Sequence, residues 1–251
     1  MNGFKDLFSS QALDYSKFRP HYPESLYAWL ADQVPARKAA WDCGTGNGQA
    51  ALGLAPFFER VFATDPSASQ LSQASPSANV TYSVGTAESS GLAAQSVDLV
   101  TVAQAYHWFQ HENFFKEVRR VARPGAVVAV WSYALAHLTP EIDAVVMKLY
   151  ETILGPYWEG ERRSVELGYR NLPFDFKRFE APVFQMHASW SFEHLVGYLG
   201  TWSSLQTYLK KHGRDPRELV IEDLRRAWDL HGAEIIEVRW DLALHVGRVE
   251  A

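Results

Sequence analysis

Cysteine is almost missing from this sequence: its 251 residues contain one, Cys43. A disulfide framework within the chain and a multi-cysteine zinc cluster are therefore excluded. The place of Cys43 beside glycines suits a small space-filling residue, not a nucleophile. Positive charge is also short. Lys and Arg number 24 against 29 Asp and Glu, so the net charge is 24 − 29 = −5. No Lys/Arg-dense stripe runs along the chain, and a nucleic-acid partner is not expected. No apolar run reaches membrane-spanning length, and residues 1–10 lack the long apolar core of a secretory signal. The expectation is a cytoplasmic protein without a membrane partner. His107 and His111 stand four apart beside Glu112, but no third ligand follows at a useful spacing, so no metal is expected. Nothing in the pattern specifies an oligomeric state.

What the chain has is an ordinary globular balance, 47% hydrophobic and 21% charged, and enough length for one sizeable core. Aromatics stand out at 14%, with nine tryptophans. Large rings dominate burial, so many belong to the core. Their clustering at 106–109, 131–133, 157–158 and 190–208 leaves room for an aromatic pocket as well.

The stretch that organises the rest is Trp41-Asp42-Cys43-Gly44-Thr45-Gly46-Asn47-Gly48-Gln49. It reads as a short buried strand, a glycine turn and a helix start. Glycines at these positions allow positive φ and close approach of a ligand, whose partners would be the free N–H groups of the helix start. The Gly-x-Gly-x-Gly spacing differs from the usual dinucleotide fingerprint, and no lysine follows to make a phosphate-gripping loop. Asp42, directly before the first glycine, would repel a pyrophosphate but attract a ligand bearing ammonium and sulfonium charges. S-adenosylmethionine (SAM) is therefore favoured over NAD or ATP.

Before the turn, two prolines three apart (Pro20 and Pro23) interrupt the chain, and residues 24–33 show helical apolar spacing at Leu26, Trp29 and Leu30. Tyr15 and Arg19 read either as a surface lead-in or as a flap in which Arg19 grips a carboxylate. After the turn, strand signals at 61–64, 80–84, 97–103 and 127–131 alternate with helical ones. Phe114, Phe115, Val118 and Val121 mark a helix ended by Arg123-Pro124-Gly125. Such alternation predicts an α/β fold, an open and mostly parallel sheet with ligands beyond the carboxyl ends of its strands. Asp65 falls at one such end, 65 − 46 = 19 residues after Gly46. It is either an acceptor for two ribose hydroxyls or a turn aspartate before Pro66. Glu88, after Ala87, either edges an adenine or caps the next turn.

Asp42-x-Gly44-x-Gly46-x-Gly48, Asp65, Gly85-Thr86-Ala87-Glu88, Val97-Asp98-Leu99-Val100 and Arg123-Pro124-Gly125 together resemble the ordered motifs of class I SAM-dependent methyltransferases (type 11 methyltransferase domain), over residues 38–132. The flanking words Tyr15-x-x-x-Arg19-Pro20-x-Tyr22-Pro23, Ala105-Tyr106-His107-Trp108-Phe109, Gly155-Pro156-Tyr157-Trp158-Glu159 and Thr201-Trp202-Ser203 are similar to the trans-aconitate methyltransferase-like subgroup. The resemblance implies a Rossmann-like sheet of seven strands with an antiparallel last strand and a helical, aromatic insertion over the active face. Residues 184–190 and 235–246 are the candidates for the two final strands, and 194–231 for two helices, with Tyr198 and Tyr208 as further pocket candidates. The implied organisation is a lead-in at 1–36, a SAM-binding core at 37–133, a cap at 134–180 and a C-terminal completion at 181–251.

The implied cofactor is SAM, with S-adenosylhomocysteine as product. Its expected contacts are Tyr15, Arg19, Asp42, Gly44, Thr45, Gly46, Asn47, Gly48, Asp65, Pro66, Ser67, Ala87, Glu88, Gln104 and Ala105. For the acceptor, Tyr22, Trp108, Trp131, Tyr133, Trp158, Arg162 and Trp202 are expected to line the site, with His107, Tyr106 and Arg163 nearest the chemistry. Methyl transfer to a carboxylate needs no base, since a group of pKa about 4 is already ionised at neutral pH; it needs positive charge to position it, a role that the planar fork of arginine suits. Arg162 and Arg163 are that fork or a solvated basic pair. His107 is a general base for a hydroxyl or amine, or a hydrogen-bonding member of the aromatic wall. The expected activity is methyl transfer to a small, carboxylate-bearing acceptor. The alternatives are N-, C- or hydroxyl O-methylation of another small metabolite, or a SAM-binding module without catalysis.

Overall fold

The computed structural model describes residues 18–250; Tyr15 lies outside them. The architecture is Rossmann-like. The main sheet has seven strands: β1 (Ala39–Cys43), β2 (Arg60–Asp65), β3 (Val80–Val84), β4 (Val97–Ala103), β5 (Ala122–Ser132), β6 (Lys177–Arg178) and β9 (Ala243–Arg248), in the order β3-β2-β1-β4-β5-β9-β6. β1 to β5 pair in parallel, and β9 runs antiparallel between β5 and β6.

Strand β5 shows why the sheet needs cover on both sides. Val127, Ala129 and Trp131 enter one core, while Ala126, Val128 and Val130 enter the other. A strand buried on both faces reads as a continuous apolar run, with the two-residue alternation hidden in it. Helices α1 (Glu24–Gln33) and α2 (Gln49–Leu54) help cover the first face. Helix α4 (His111–Val121), which follows the short α3 (Ala68–Leu71), covers the second with Phe114, Phe115, Val118 and Val121. Buried Asp98 at the start of β4 accepts from the Lys38 and Ala39 amides and from Arg123, tying β1, β4 and the β5 entry together.

Two expectations are corrected. Residues 185–190 and 236–241 are not in the main sheet; as β7 (Gln185–Trp190) and β8 (Ile236–Asp241) they form a separate antiparallel ribbon. The long alternating stretch breaks at Leu242, so that only its second half, β9, joins β5. The C-terminal helical segment contains three α-helices instead of two: α7 (Phe192–Gly200), α8 (Ser203–His212) and α9 (Ile221–His231). Preceding them are α5 (Pro140–Met147), which runs on as a π-helical turn over Lys148–Ile153, and α6 (Arg162–Glu166). The ribbon, α5 and α7–α9 share a core with the α1 and α2 face of the sheet, through Trp190, Tyr198, Trp202, Trp228 and Trp240. No helix among the described residues is long and apolar enough to cross a membrane.

Candidate active site

The glycine turn leaves the carboxyl end of β1 with Gly44, Gly46 and Gly48 all at positive φ. Their side-chain space is used differently. A Cβ on Gly44 would meet the Ala105 methyl at 2.7 Å, and one on Gly48 would meet the Tyr82 hydroxyl at 2.5 Å. Over Gly46 the nearest atom would be Gln70 Oε1, at 3.9 Å. Packing therefore demands two of the glycines, and the third leaves an open approach to backbone.

Two carboxylates hold this turn. Register places Thr101 of β4 beside Asp42 of β1. Asp42, at 0% exposure, accepts from the Thr101 hydroxyl at 2.8 Å and from the Thr45 hydroxyl at 2.5 Å. Burial pushes its carboxyl up to about 6; the two hydroxyls oppose that shift, and Asp65 adds slightly to it. Asp42 thus presents no exposed oxygen at the turn. Asp65, at the end of β2, accepts from the Gly46 amide at 2.9 Å and from the Ser67 amide at 2.8 Å. Ser67 in turn caps α3. Thr45 is buried, while Asn47 and Pro66 are half-buried at the turn. Glu88 accepts from the Gln110 amide just before α4, a long-range contact and not a cap of the turn that follows it, and its neighbour Ala87 is buried.

Beyond the end of β4, Gln104 takes a positive φ of 58°, its amide donating to Trp131 O and its side chain to Tyr133 O. Gln104 lines a cavity of about 80 Å³, while its neighbour Ala105 packs on Gly44. One dipeptide therefore joins the glycine turn to the cavity. The cavity is walled by Arg19, Gln104, His107, Trp108, Trp158, Glu159, Arg162, Val165, Trp202 and Ser203. Residues from the lead-in, the end of β4, the α5–α6 segment and the α7–α8 junction thus converge on one space.

Arg19 donates to Tyr133 Oη at 3.3 Å and lies over the Tyr198 ring. Arg162 donates from Nε to the Tyr150 hydroxyl at 2.9 Å, and its guanidinium lies 4.9 Å from the Trp158 ring centre. Its terminal nitrogens have no protein partner among the described residues. His107 Nδ1 shares a 3.0 Å hydrogen bond with the Tyr169 hydroxyl, and Tyr169 is a buried residue with φ of 61°. Burial, helped by the Arg162 charge, pushes His107 down to about 3. The imidazole is neutral throughout the physiological range.

Several expected site residues lie elsewhere. Tyr106 is 1% exposed, and its hydroxyl donates to the Pro173 carbonyl; an aromatic in a 3₁₀ turn points its ring to one side only, here into the α4 core. Arg163 is exposed and does not line the cavity; adjacent helical residues point about 100° apart. Trp131 and Tyr22 pack edge-to-face in the core, and Tyr133 does not line the cavity itself but bonds two residues that do, Arg19 and Gln104. Tyr198 and Tyr208 are buried and do not line it. Sequence reading missed Tyr150, Tyr169, Glu159, Val165 and Ser203. Glu159 and Ser203 stand in the sequence only as the last residues of motifs; Tyr150 and Tyr169 carry no local signal at all. His111 bonds the Tyr106 carbonyl, and among the described residues no three potential metal ligands come together.

A family model described as a methyltransferase domain matches residues 41–130. A Dictyostelium discoideum protein named as a methyltransferase candidate is 34% identical over 229 residues, covering 90% of this chain and 87% of its own length. The solved structure of a type II methyltransferase candidate from Anaeromyxobacter dehalogenans is 47% identical, with a TM-score of 0.86, and covers 93% of this chain and 99% of its own. At the level of fold alone, the chain is also similar to a Haemonchus contortus phosphoethanolamine N-methyltransferase solved with S-adenosylhomocysteine. That match has a TM-score of 0.50 and 16% identity, and covers 100% of this chain and 60% of its own.

Proposed function

The chain belongs to the SAM-dependent methyltransferases, and from that premise we propose that it methylates a carboxylate oxygen of a small acceptor. SAM is the family's cofactor, and the turn fits it: bare backbone over Gly46, a carboxylate at the end of β2 in Asp65 and a buried negative charge at Asp42. In this reading Gly46 and Asp65 hold the nucleoside end, and Asp42 favours the cationic end through space. Gln104 and Ala105 border the passage to the acceptor. Glu88 keeps a structural role. When bound, SAM supplies a methyl group on a good sulfonium leaving group.

The observation that carries the acceptor assignment is Arg162, held by Tyr150 and Trp158 with its terminal nitrogens unpartnered, on a cavity walled by three tryptophans. A planar fork of this kind matches a carboxylate bidentately. His107 supports the same conclusion. A group titrating at about 3 is a poor base for a hydroxyl or ammonium at neutral pH, whereas an ionised carboxylate has no proton to lose. The remaining contribution is orientation, which the tryptophan walls and Arg162 supply.

Residues 134–180 then act as the substrate cap, contributing Trp158 and Arg162, and residues 181–251 add Trp202. We take the acceptor to be a small metabolite in the cytoplasm, with no nucleic acid or membrane involved; the negative net charge disfavours a nucleic-acid partner. Methyl-labelled SAM offered with matched panels of carboxylates, amines and phenols tests the reading. Label entering base-labile methyl esters is expected. Transfer confined to amines or phenols, or SAM binding without transfer to any acceptor, would overturn it.

A further inference from the structure

The π-helical turn over Lys148–Ile153 is the one irregularity in the long α5 segment, and it bears on the cavity through Tyr150. There the Leu154 amide donates five residues back, to the Leu149 carbonyl, at 2.9 Å. In a regular α-helix that amide would take the Tyr150 carbonyl. The wider turn releases this carbonyl, and the Trp158 indole N–H donates to it at 3.1 Å. The Tyr150 ring lies 4.7 Å from Trp158 and edge-on to Trp202 at 5.5 Å. Its hydroxyl meets two further groups, Arg162 Nε and the Glu166 carboxylate.

Donor arithmetic orients this chain. An arginine Nε–H can only donate, so the Tyr150 oxygen accepts from Arg162; a phenol has one proton, and it goes to Glu166. Burial pushes the Tyr150 hydroxyl up to about 12, so the proton stays in place at neutral pH. With Nε engaged, Arg162 can offer a ligand only its Nη1 and Nη2 edge. Tyr150 thereby fixes both the rotation of the guanidinium and the position of the indole against which it lies.

We propose that Tyr150 is the positioning residue that makes this cavity selective for two-oxygen anions, by presenting the Nη1–Nη2 edge of Arg162 for end-on pairing with a carboxylate. The inference rests on the reading of Arg162 as the acceptor clamp, and its test separates the two. Benzoate and its neutral isostere benzamide are titrated against the full-length protein with S-adenosylhomocysteine present, following tryptophan fluorescence. Wild type is expected to bind benzoate at least tenfold more tightly than benzamide. Tyr150→Phe keeps the ring contacts and the carbonyl bond to Trp158, and is expected to cut that preference below threefold while leaving benzamide affinity and S-adenosylhomocysteine affinity within twofold. A general packing role would weaken both probes together. If Arg162→Ala loses the preference and Tyr150→Phe keeps it, Tyr150 has no positioning role although the clamp stands. If wild type shows no preference, the clamp itself fails. Should Tyr150→Phe not fold, Glu166→Ala, an exposed change that leaves the phenol proton without its acceptor, is expected to reduce the preference about threefold; a full preference there overturns the proposal.

Discussion

The Gly46 amide donates to the Asp65 carboxylate across 2.9 Å, so the acid at the end of β2 holds the tip of the turn that leaves β1. The residue expected to hold the ribose is therefore also a strut of the cofactor turn. Asp65→Ala removes both functions. Hydrogen bonds to charged groups contribute about 1.5–3 kcal/mol each, so SAM affinity is expected to fall about 100-fold or more by calorimetry. Asp65→Asn retains one acceptor oxygen and should lose about tenfold. Unchanged affinity in the alanine variant would remove Asp65 from the ribose.

Asp42 predicts a pH signature. Its folded pKa of about 6 stands above the ordinary 3.8, so between those values the folded state holds a proton that the unfolded state has released. Stability from this group accordingly falls as pH rises through that window, and the cost above it is roughly 3 kcal/mol at 1.36 kcal/mol per unit. Asp42→Asn is expected to raise the melting temperature of the SAM-free protein at pH 7.5 and to have little effect at pH 4. The same variant should bind SAM more weakly. Calorimetry near pH 6 in buffers of different ionisation enthalpy should show proton release when SAM binds wild type, because a cationic ligand lowers the Asp42 pKa.

His107 has the opposite sign. Its folded pKa of about 3 lies below the ordinary 6.5, so the unfolded state takes up a proton first as pH falls, and stability is lost from about pH 6.5 downwards to about 3. His107→Gln should flatten the decline of the melting temperature between pH 7 and 5. In wild type, kcat/KM for a carboxylic acceptor should show no limb between pH 5.5 and 8 that disappears with His107. A limb near 6.5 abolished by His107→Gln would restore the general-base role.

Arg162 and Arg163 are neighbours with different surroundings, one lining the cavity and the other in solvent. Arg162→Ala is expected to raise KM for the carboxylate acceptor about 10- to 100-fold, the range for one charge-assisted bidentate contact. Arg163→Ala should change it less than about twofold. Equal effects of the two substitutions would remove the distinction on which the acceptor assignment depends.

The parts of the site that could be read from the sequence are those set by local chemistry. Gly44, Gly46 and Gly48 announce positive φ, and Asp65 announces the end of a strand before a proline. Those signals depend on covalent geometry and nearest neighbours. His107, Trp108, Trp158 and Trp202 stand in aromatic clusters and Arg162 just beyond one, and all five line the cavity; Tyr106 and Arg163, beside them in sequence, do not. Burial belongs to a side chain's direction, and one residue along a helix turns that direction by about 100°. Tyr150 and Tyr169 gave no signal, because each acts through a hydroxyl placed by a backbone irregularity, a π-turn in one case and a left-handed residue in the other.

By itself the sequence determined the parallel core, the glycine turn and the cofactor it suits, because hydrophobic periodicity, φ requirements and charge are properties of neighbouring residues. Tertiary structure alone decided that 185–190 and 236–241 leave the sheet as a ribbon, since two apolar alternating segments pair wherever their faces find a common core. It also decided that Arg162, not Arg163, faces the cavity and that Tyr150 orients it. Those choices depend on contacts between segments many residues apart, which no local pattern records.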